Sequence, residues 1–336
     1  MRVASVIWVV LGGCGFHASA LTDGGGQGGS DGPADGSGGG SDGSGSDTGG
    51  TAADCLQHWV DGAPSVSKAQ EITALSSNGN DRDPWISMDG LRLYFARNPG
   101  SQGGSDIYLA TRNTTSVGFT TAGAVLNLDR SDTDEERPAL SADEKILVMA
   151  SDRPPPGAPP PTPRFQVQIT SRTDPTKDFG TPMPGDPRVV LVNADAIDHL
   201  DPFLTGDGLE LYLAPVVGPQ GRQEIRVATR ASLLIDFTAA SPVTELNTMT
   251  SSADPALSLD KRIIVFSARN GNQDTDLYYA TRAGATGAFG APALVPTANS
   301  DGNDGDPVLS ADGCELYFAS QGSGGKYHLF HAQVAK

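Results

Sequence analysis

Asp83-Pro84-Trp85-Ile86-Ser87-Met88-Asp89-Gly90-Leu91-Arg92-Leu93-Tyr94-Phe95-Ala96 recurs without a gap as Asp306-Pro307-Val308-Leu309-Ser310-Ala311-Asp312-Gly313-Cys314-Glu315-Leu316-Tyr317-Phe318-Ala319. Three further copies keep the frame, starting at Arg137-Pro138, Asp201-Pro202 and Asp254-Pro255. Their turn aspartates, Asp89, Asp143, Asp207, Asp260 and Asp312, are spaced 54, 64, 53 and 52 residues apart. The long interval contains Arg153 to Arg164 (RPPPGAPPPTPR), an insertion into one loop of the second copy. A repeat of this period is one supersecondary unit that must stack on its neighbours to bury its apolar faces.

Within each copy apolar residues alternate with period two and are separated by turn residues, which is strand rather than helix patterning. Strand a runs from the proline to the serine, since a fixed φ suits a strand's first residue. An Asp-Gly type turn closes a hairpin onto strand b, Leu93-Tyr94-Phe95 and its counterparts. Strand c is Asp106 to Arg112, with counterparts ending at Arg172, Arg230 and Arg282, and strand d is placed at Val125 to Asn127, Val190 to Asn193 and Val243 to Asn247. Four antiparallel strands per unit predict a propeller blade.

The pattern DPxxSxDGxxLYFxS followed by DIYxATR resembles the WD40-like, TolB-type β-propeller repeat of bacterial envelope proteins. The resemblance spans about residues 70 to 334. It implies an extracytoplasmic location and contact with other proteins, but the family has no single activity, so fold does not give function. The expected fold is all-β, a five-bladed β-propeller of four-stranded antiparallel blades. Glu71 to Ser76 has the spacing of a strand d without its own blade, and the fifth copy lacks a strand d. Joining the two would close the ring and remove both sheet edges. Six blades, one of them degenerate, is the alternative.

The chain has 336 residues, 42 Gly, 24 Pro and a net charge of −17. That composition excludes coiled coils, membrane bundles and nucleic-acid binders, which need heptads, long apolar runs or a basic face. Arg2 and six aspartates account for −5 of the charge before residue 55, leaving −12 on the rest. An anionic membrane surface would repel such a domain.

Residues 1–13 read as a signal peptide, with Val3 to Leu11 too short to span a bilayer. Leu11-Gly12-Gly13-Cys14 resembles a bacterial lipobox, which makes Cys14 the lipidation site and puts the protein outside the cytoplasm, on the outer membrane or cell surface. Residues 14–54 are a Gly, Ser and Asp tether too poor in apolar side chains to order itself. Its G-x-S-x-G matches therefore carry no chemistry, because a nucleophile elbow needs a strained strand-to-helix turn. The propeller domain is 55–336. With Cys14 lipidated, Cys55 and Cys314 remain as an even pair and are expected to form a disulfide.

A residue present in every blade is explained by packing and turns, so function is sought where the repeat breaks. Asp83, Asp201, Asp254 and Asp306 precede strand a and should ring one channel mouth, with Arg137 in the second copy's place. Each carboxylate can accept backbone N–H bonds in its own loop or the next blade. Asp81, Asp304 and His199 add polar groups nearby, and clustered carboxylates suit Ca²⁺. No ion, cofactor or metal ligand set is assigned. Trp85 and Phe203 should face the channel or its rim, as filler or as a ligand platform. The proline-rich insertion should be a stiff exposed loop.

Two functions follow. The first is a non-catalytic, monomeric envelope lipoprotein binding a protein, glycan or peptide through these residues, with a membrane contact only through its lipid. The second is a glycosidase-like hydrolase with carboxylates at the channel mouth. A glycosidase needs carboxylates in distinct roles, whereas these acids follow the repeat.

Overall fold

A computed structural model describes residues 52–335 apart from 101–103, 121, 155–164, 196, 219, 272–273 and 323. The signal peptide, Cys14, nearly all of the tether and most of the proline-rich insertion lie outside the described residues. Five antiparallel sheets form the fold. The innermost strand of each touches the next, and that of the last touches that of the first, so the sheets close into a five-bladed propeller.

In blade 1, strands a to d are Asn80–Ile86, Arg92–Asn98, Asp106–Thr111 and Gly123–Ala124. Blade 2 has Glu135–Leu140, Ile146–Ser151 and Gln166–Ser171, followed by a 3₁₀ turn at Pro187–Val189. Blade 3 has Phe203–Leu204, Glu210–Leu213, Arg226–Thr229 and Ser241–Pro242, with an extra hairpin of Val216–Val217 and Arg222–Gln223. Blade 4 has Ser251–Leu257, Ile263–Arg269, Thr275–Thr281 and Ala293–Leu294. Blade 5 has Asp304–Leu309, Glu315–Gln321 and Tyr327–Gln333, and takes Gln70–Glu71 as its outer strand. Strand b is buried on both faces in every blade, for instance Leu93-Tyr94-Phe95 and Leu316-Tyr317-Phe318, because blades stack face to face.

Strand d differs from the sequence expectation. It is two residues long and lies before the Val-Leu-Asn type segments, which are turns. The asparagine of the turn then does the work of a strand residue. Asn247 accepts from the Ile225 N–H and donates to the Ile225 carbonyl, and Asn193 and Asn299 do the same at Val167 and Leu277. The ring-closing segment shifts accordingly. Gln70 and Glu71 pair with His331 and Phe330, extended by bonds at Ser67 and Ile72, while Leu75 belongs to the turn that follows. Blade 2 has three strands rather than four, and the 3₁₀ turn at Pro187–Val189 follows strand c where the other blades place strand d.

A repeated clip fastens the outer hairpins. Arg112, Arg172, Arg230 and Arg282 each donate Nε to the carbonyl of the turn residue with positive φ, namely Gly90, Glu144, Gly208 and Lys261, at 2.6 to 2.7 Å. Each guanidinium also lies over a phenylalanine (Phe119, Phe179, Phe237, Phe289) at 4.2 to 4.5 Å. Blade 5 carries Val334 where the others carry arginine. There the chain supplies a helix, Ala52–Val60, which patterning had not revealed. Its Trp59 donates Nε1 to the Gly313 carbonyl at 3.1 Å, and Cys55 is bonded to Cys314 as expected.

Candidate functional site

The residue before each strand-a proline adopts a left-handed backbone, with φ of 57° at Asp83, 59° at Arg137, 56° at Asp201, 53° at Asp254 and 55° at Asp306. Such positions cost about 1 to 3 kcal/mol each and persist only where surroundings enforce them. The strand register shifts here in four blades, which turns the side chain toward the central axis.

The enforcement is a chain of bonds from blade to blade. The Asp83 N–H donates to Asp306 at 3.4 Å, the Arg137 N–H to Asp83 at 3.2 Å, the Asp254 N–H to Asp201 at 3.2 Å and the Asp306 N–H to Asp254 at 3.2 Å. One link is missing. Arg137 has no acceptor to offer blade 3, and instead its guanidinium turns inward and ion-pairs with Asp201 at 2.5 Å, Asp306 at 2.8 Å, Asp83 at 3.3 Å and, closer still, Asp254.

Four buried carboxylates around one guanidinium cannot all ionise freely. Burial pushes the Asp83 and Asp201 carboxyls well up despite Arg137, and raises Asp254 with Asp306 adding to the effect. Burial acts on Asp306 as well, but Arg82 and Arg137 outweigh it and hold Asp306 below the usual carboxylate range. Burial thus opposes ionisation of three of the four carboxyls, and the negative charge of the ring is met by arginine from its own chain. Among the described residues no group of three or more His, Cys, Asp and Glu is placed to hold a metal ion. The position that a Ca²⁺ would take among these carboxylates is filled by the guanidinium.

Below the ring the channel narrows to about 40 Å³, lined by the five prolines with Trp85, Ala139, Phe203, Ala256 and Val308. That holds little more than a water. Trp85 is buried with its ring edge against Tyr94, 5.9 Å between centroids, and Phe203 is half-buried against residues of all three apolar clusters. Both therefore fill the channel.

In blades 1, 2 and 5 the residue two before the ring position is a buried anchor for its own loop. Asp81 accepts from the Ser77 N–H and from Arg97, and Asp304 accepts from the Ser300 N–H. Glu135 in blade 2 bonds Arg153, Ser151, Thr133 and the Arg130 N–H. His199 takes this position in blade 3, buried, and burial lowers its pKa. The structure thus brings Asp83, Arg137, Asp201, Asp254 and Asp306 together. It places Asp81, Asp304 and His199 apart from them, inside separate blades.

Above the ring, on the face of the loops preceding strand a, lies a cavity of about 170 Å³ lined by Arg82, Gln223, Arg269, Thr275, Asn303 and Tyr327, among others. Arg82 stacks over Tyr327 at 4.1 Å and pairs with Asp306 at 3.3 Å, and Gln223 donates to Asp201 at 2.7 Å. Sequence reasoning had not singled out these six. A signal existed: the residue just before the ring position reads Arg82, Glu136, Leu200, Ala253 and Gly305, variable beside an otherwise regular frame.

No protein-family model matches the chain, and no curated protein matches it by sequence. Solved structures do match. A family 117 glycoside hydrolase from Zobellia galactanivorans aligns over 81% of this chain and 90% of its own, at 13% identity and a TM-score of 0.52. An α-L-arabinofuranosidase from Podospora anserina aligns over 80% and 95%, at 10% identity and a TM-score of 0.52. TolB from Acinetobacter baumannii aligns over 78% of this chain at 13% identity and a TM-score of 0.45, and the chain spans 56% of that protein's length. At these identities the likeness concerns the fold alone: a β-propeller shared with the two glycoside hydrolases.

Proposed function

We propose that the protein is a non-catalytic binding module of the bacterial envelope, anchored through Cys14, that takes a glycan or a short polar peptide in the cavity above the ring. One observation carries the reading. Every carboxylate on the channel axis is engaged by a neighbouring blade's N–H or by Arg137, and three of them converge on the same guanidinium nitrogen. A glycosidase needs two carboxyl groups with distinct protonation and substrate between them. The ring leaves no such gap, and the channel below it does not admit a sugar ring.

The cavity supports the ligand class. Arg82, Arg269, Gln223, Thr275 and Asn303 are polar side chains that can hydrogen-bond, and Tyr327 offers an aromatic face. Arg269→Glu and Asn303→Ala should each lower retention of a glycan or peptide from an array at least about tenfold, at one lost charged or bidentate contact apiece, with little change in melting temperature. Turnover of any array member by the unmodified protein, lost in a single-carboxylate variant of unchanged stability, would overturn the reading in favour of a hydrolase.

A further inference from the structure

The loop from strand c to strand d has one length in four blades, six residues between the clip arginine and its phenylalanine. It reads NTTSVG at 113–118, TDPTKD at 173–178, ASLLID at 231–236 and AGATGA at 283–288. Only blade 3 places three large apolar residues in succession. They are not buried: Leu233 is 48% exposed, Leu234 97% and Ile235 52%. Leu259, 47% exposed on the blade 4 hairpin, lies on the other side of the same blade 3 turn, since Leu233 approaches Gly208 and Leu259 approaches Gly206. No packing need explains this segment, because the other blades fasten the same loop with polar and small residues.

The loop lies on the hairpin face, opposite the cavity above the ring. The helix Ala52–Val60 lies on that face too, held to the blade 5 hairpin through Trp59 and Cys55. The 37 residues between Cys14 and that helix therefore join the fold on the hairpin side. The same face is not a bare acidic surface. Of its five turn aspartates, Asp89 pairs with Arg92 at 2.9 Å and Asp207 with Lys261 at 2.6 Å, while Asp143 and Asp260 have Lys145 and Arg262 at 3.9 Å.

We propose that Leu233, Leu234 and Ile235 form a finger that inserts into the lipid surface to which Cys14 anchors the chain, holding the propeller hairpin face down with its cavity face outward. The proposal rests on the anchoring reading above. Three residues bind lipid weakly alone, but a covalent anchor keeps the finger at the surface, and two weak membrane signals together outlast either. Four of the five hairpin aspartates on this face have a cation within 4.0 Å, which lowers the repulsion that the net charge of the chain would set up, and a zwitterionic surface adds none of its own.

The test uses the full lipidated chain reconstituted in phosphatidylcholine vesicles, with Leu234→Trp as the reporter. Leu234 is too exposed for the substitution to disturb packing. The expected result is a blue-shifted indole emission, relative to the same variant made soluble by Cys14→Ser, and its quenching by lipids brominated in the acyl chain. Leu294→Trp, half-exposed on the outer strand of blade 4, should stay unshifted and unquenched. An unquenched Leu234→Trp on lipidated protein overturns the finger while leaving the anchor intact. A shift that needs added envelope protein and is insensitive to bromolipid overturns it in favour of a protein partner. An unmodified Cys14 by mass spectrometry sinks the anchoring reading and the finger with it.

Discussion

Two structural devices recur around this ring, and each is broken once. On the axis, four blades carry aspartate and blade 2 carries Arg137. At the outer hairpins, four blades carry an arginine clip and blade 5 receives Trp59 from the N-terminal helix. The inner exception is electrostatic: a ring of like charges is made tolerable by exchanging one member for a cation. The outer exception is topological: the blade assembled from both ends of the chain is fastened by a segment that arrives from the N-terminal side and is then locked covalently. In each case the exception completes the device instead of weakening it, so removing the odd member should cost at least as much as removing a regular one.

Arg137→Met tests the inner half and has the largest expected effect. Removing one partner of a buried ion cluster costs about 3 to 5 kcal/mol. The sign of its pH dependence is fixed. Asp83, Asp201 and Asp254 have raised folded-state pKa values, so their contribution is present at low pH and lost as pH rises. Without Arg137 that loss deepens, and the variant should be nearer the parent at pH 5 than at pH 8 in thermal melts. Equal destabilisation at both would show that the guanidinium is not compensating the ring.

Opening the disulfide with Cys55→Ser and Cys314→Ser comes next. The link closes a separation of 259 residues, and native disulfides are worth about 2 to 4 kcal/mol. Denaturant titration with an unchanged midpoint would mean that the helix is held by packing alone.

Trp59→Phe is smaller, about 1 to 2 kcal/mol, because it keeps an aromatic ring in place and leaves only the Gly313 carbonyl unsatisfied. It sharpens the comparison if Arg282→Leu, which frees the Lys261 carbonyl, costs a similar amount. A neutral Trp59→Phe beside a costly Arg282→Leu would break the equivalence of the two.

The smallest effect is a gain. Blade 1 has Asp129 where blades 2 to 4 have the strand-pairing asparagine, and burial together with the Asp129 contact pushes the Asp106 carboxyl up to about 7. A raised carboxyl contributes stability at low pH that is lost as pH rises toward that value. Asp129→Asn should therefore stabilise by about 0.5 kcal/mol above pH 7 and by nothing near pH 4. A uniform shift across that range would contradict the assignment.

The repeat made blade number, strands a to c and the ring of aspartates legible, because alternation over six or seven residues is a strong signal and an Asp-Pro pair is easily counted. Strand d was misplaced because two residues carry no period, and the asparagines that extend it act through side chains. The helix Ala52–Val60 is short and abuts a Gly- and Ser-rich segment, and its partner, the Gly313 carbonyl, is a backbone atom. Arg137 stood out as the exception in sequence, but that its guanidinium reaches four blades at once depends on the left-handed backbone at that position.

The central claim is that the axial carboxylates hold blades together and do no chemistry. Its most direct test is the melting temperature of Asp83→Ala, Asp201→Ala, Asp254→Ala and Asp306→Ala, which remove the acceptor itself, measured alongside hydrolysis of a glycan panel. All four should melt lower, by about 1 to 3 kcal/mol each, since each carboxylate serves a neighbouring blade's N–H, and no protein in the series should turn over substrate. One variant that melts like the parent while losing a turnover the parent possesses would contradict it.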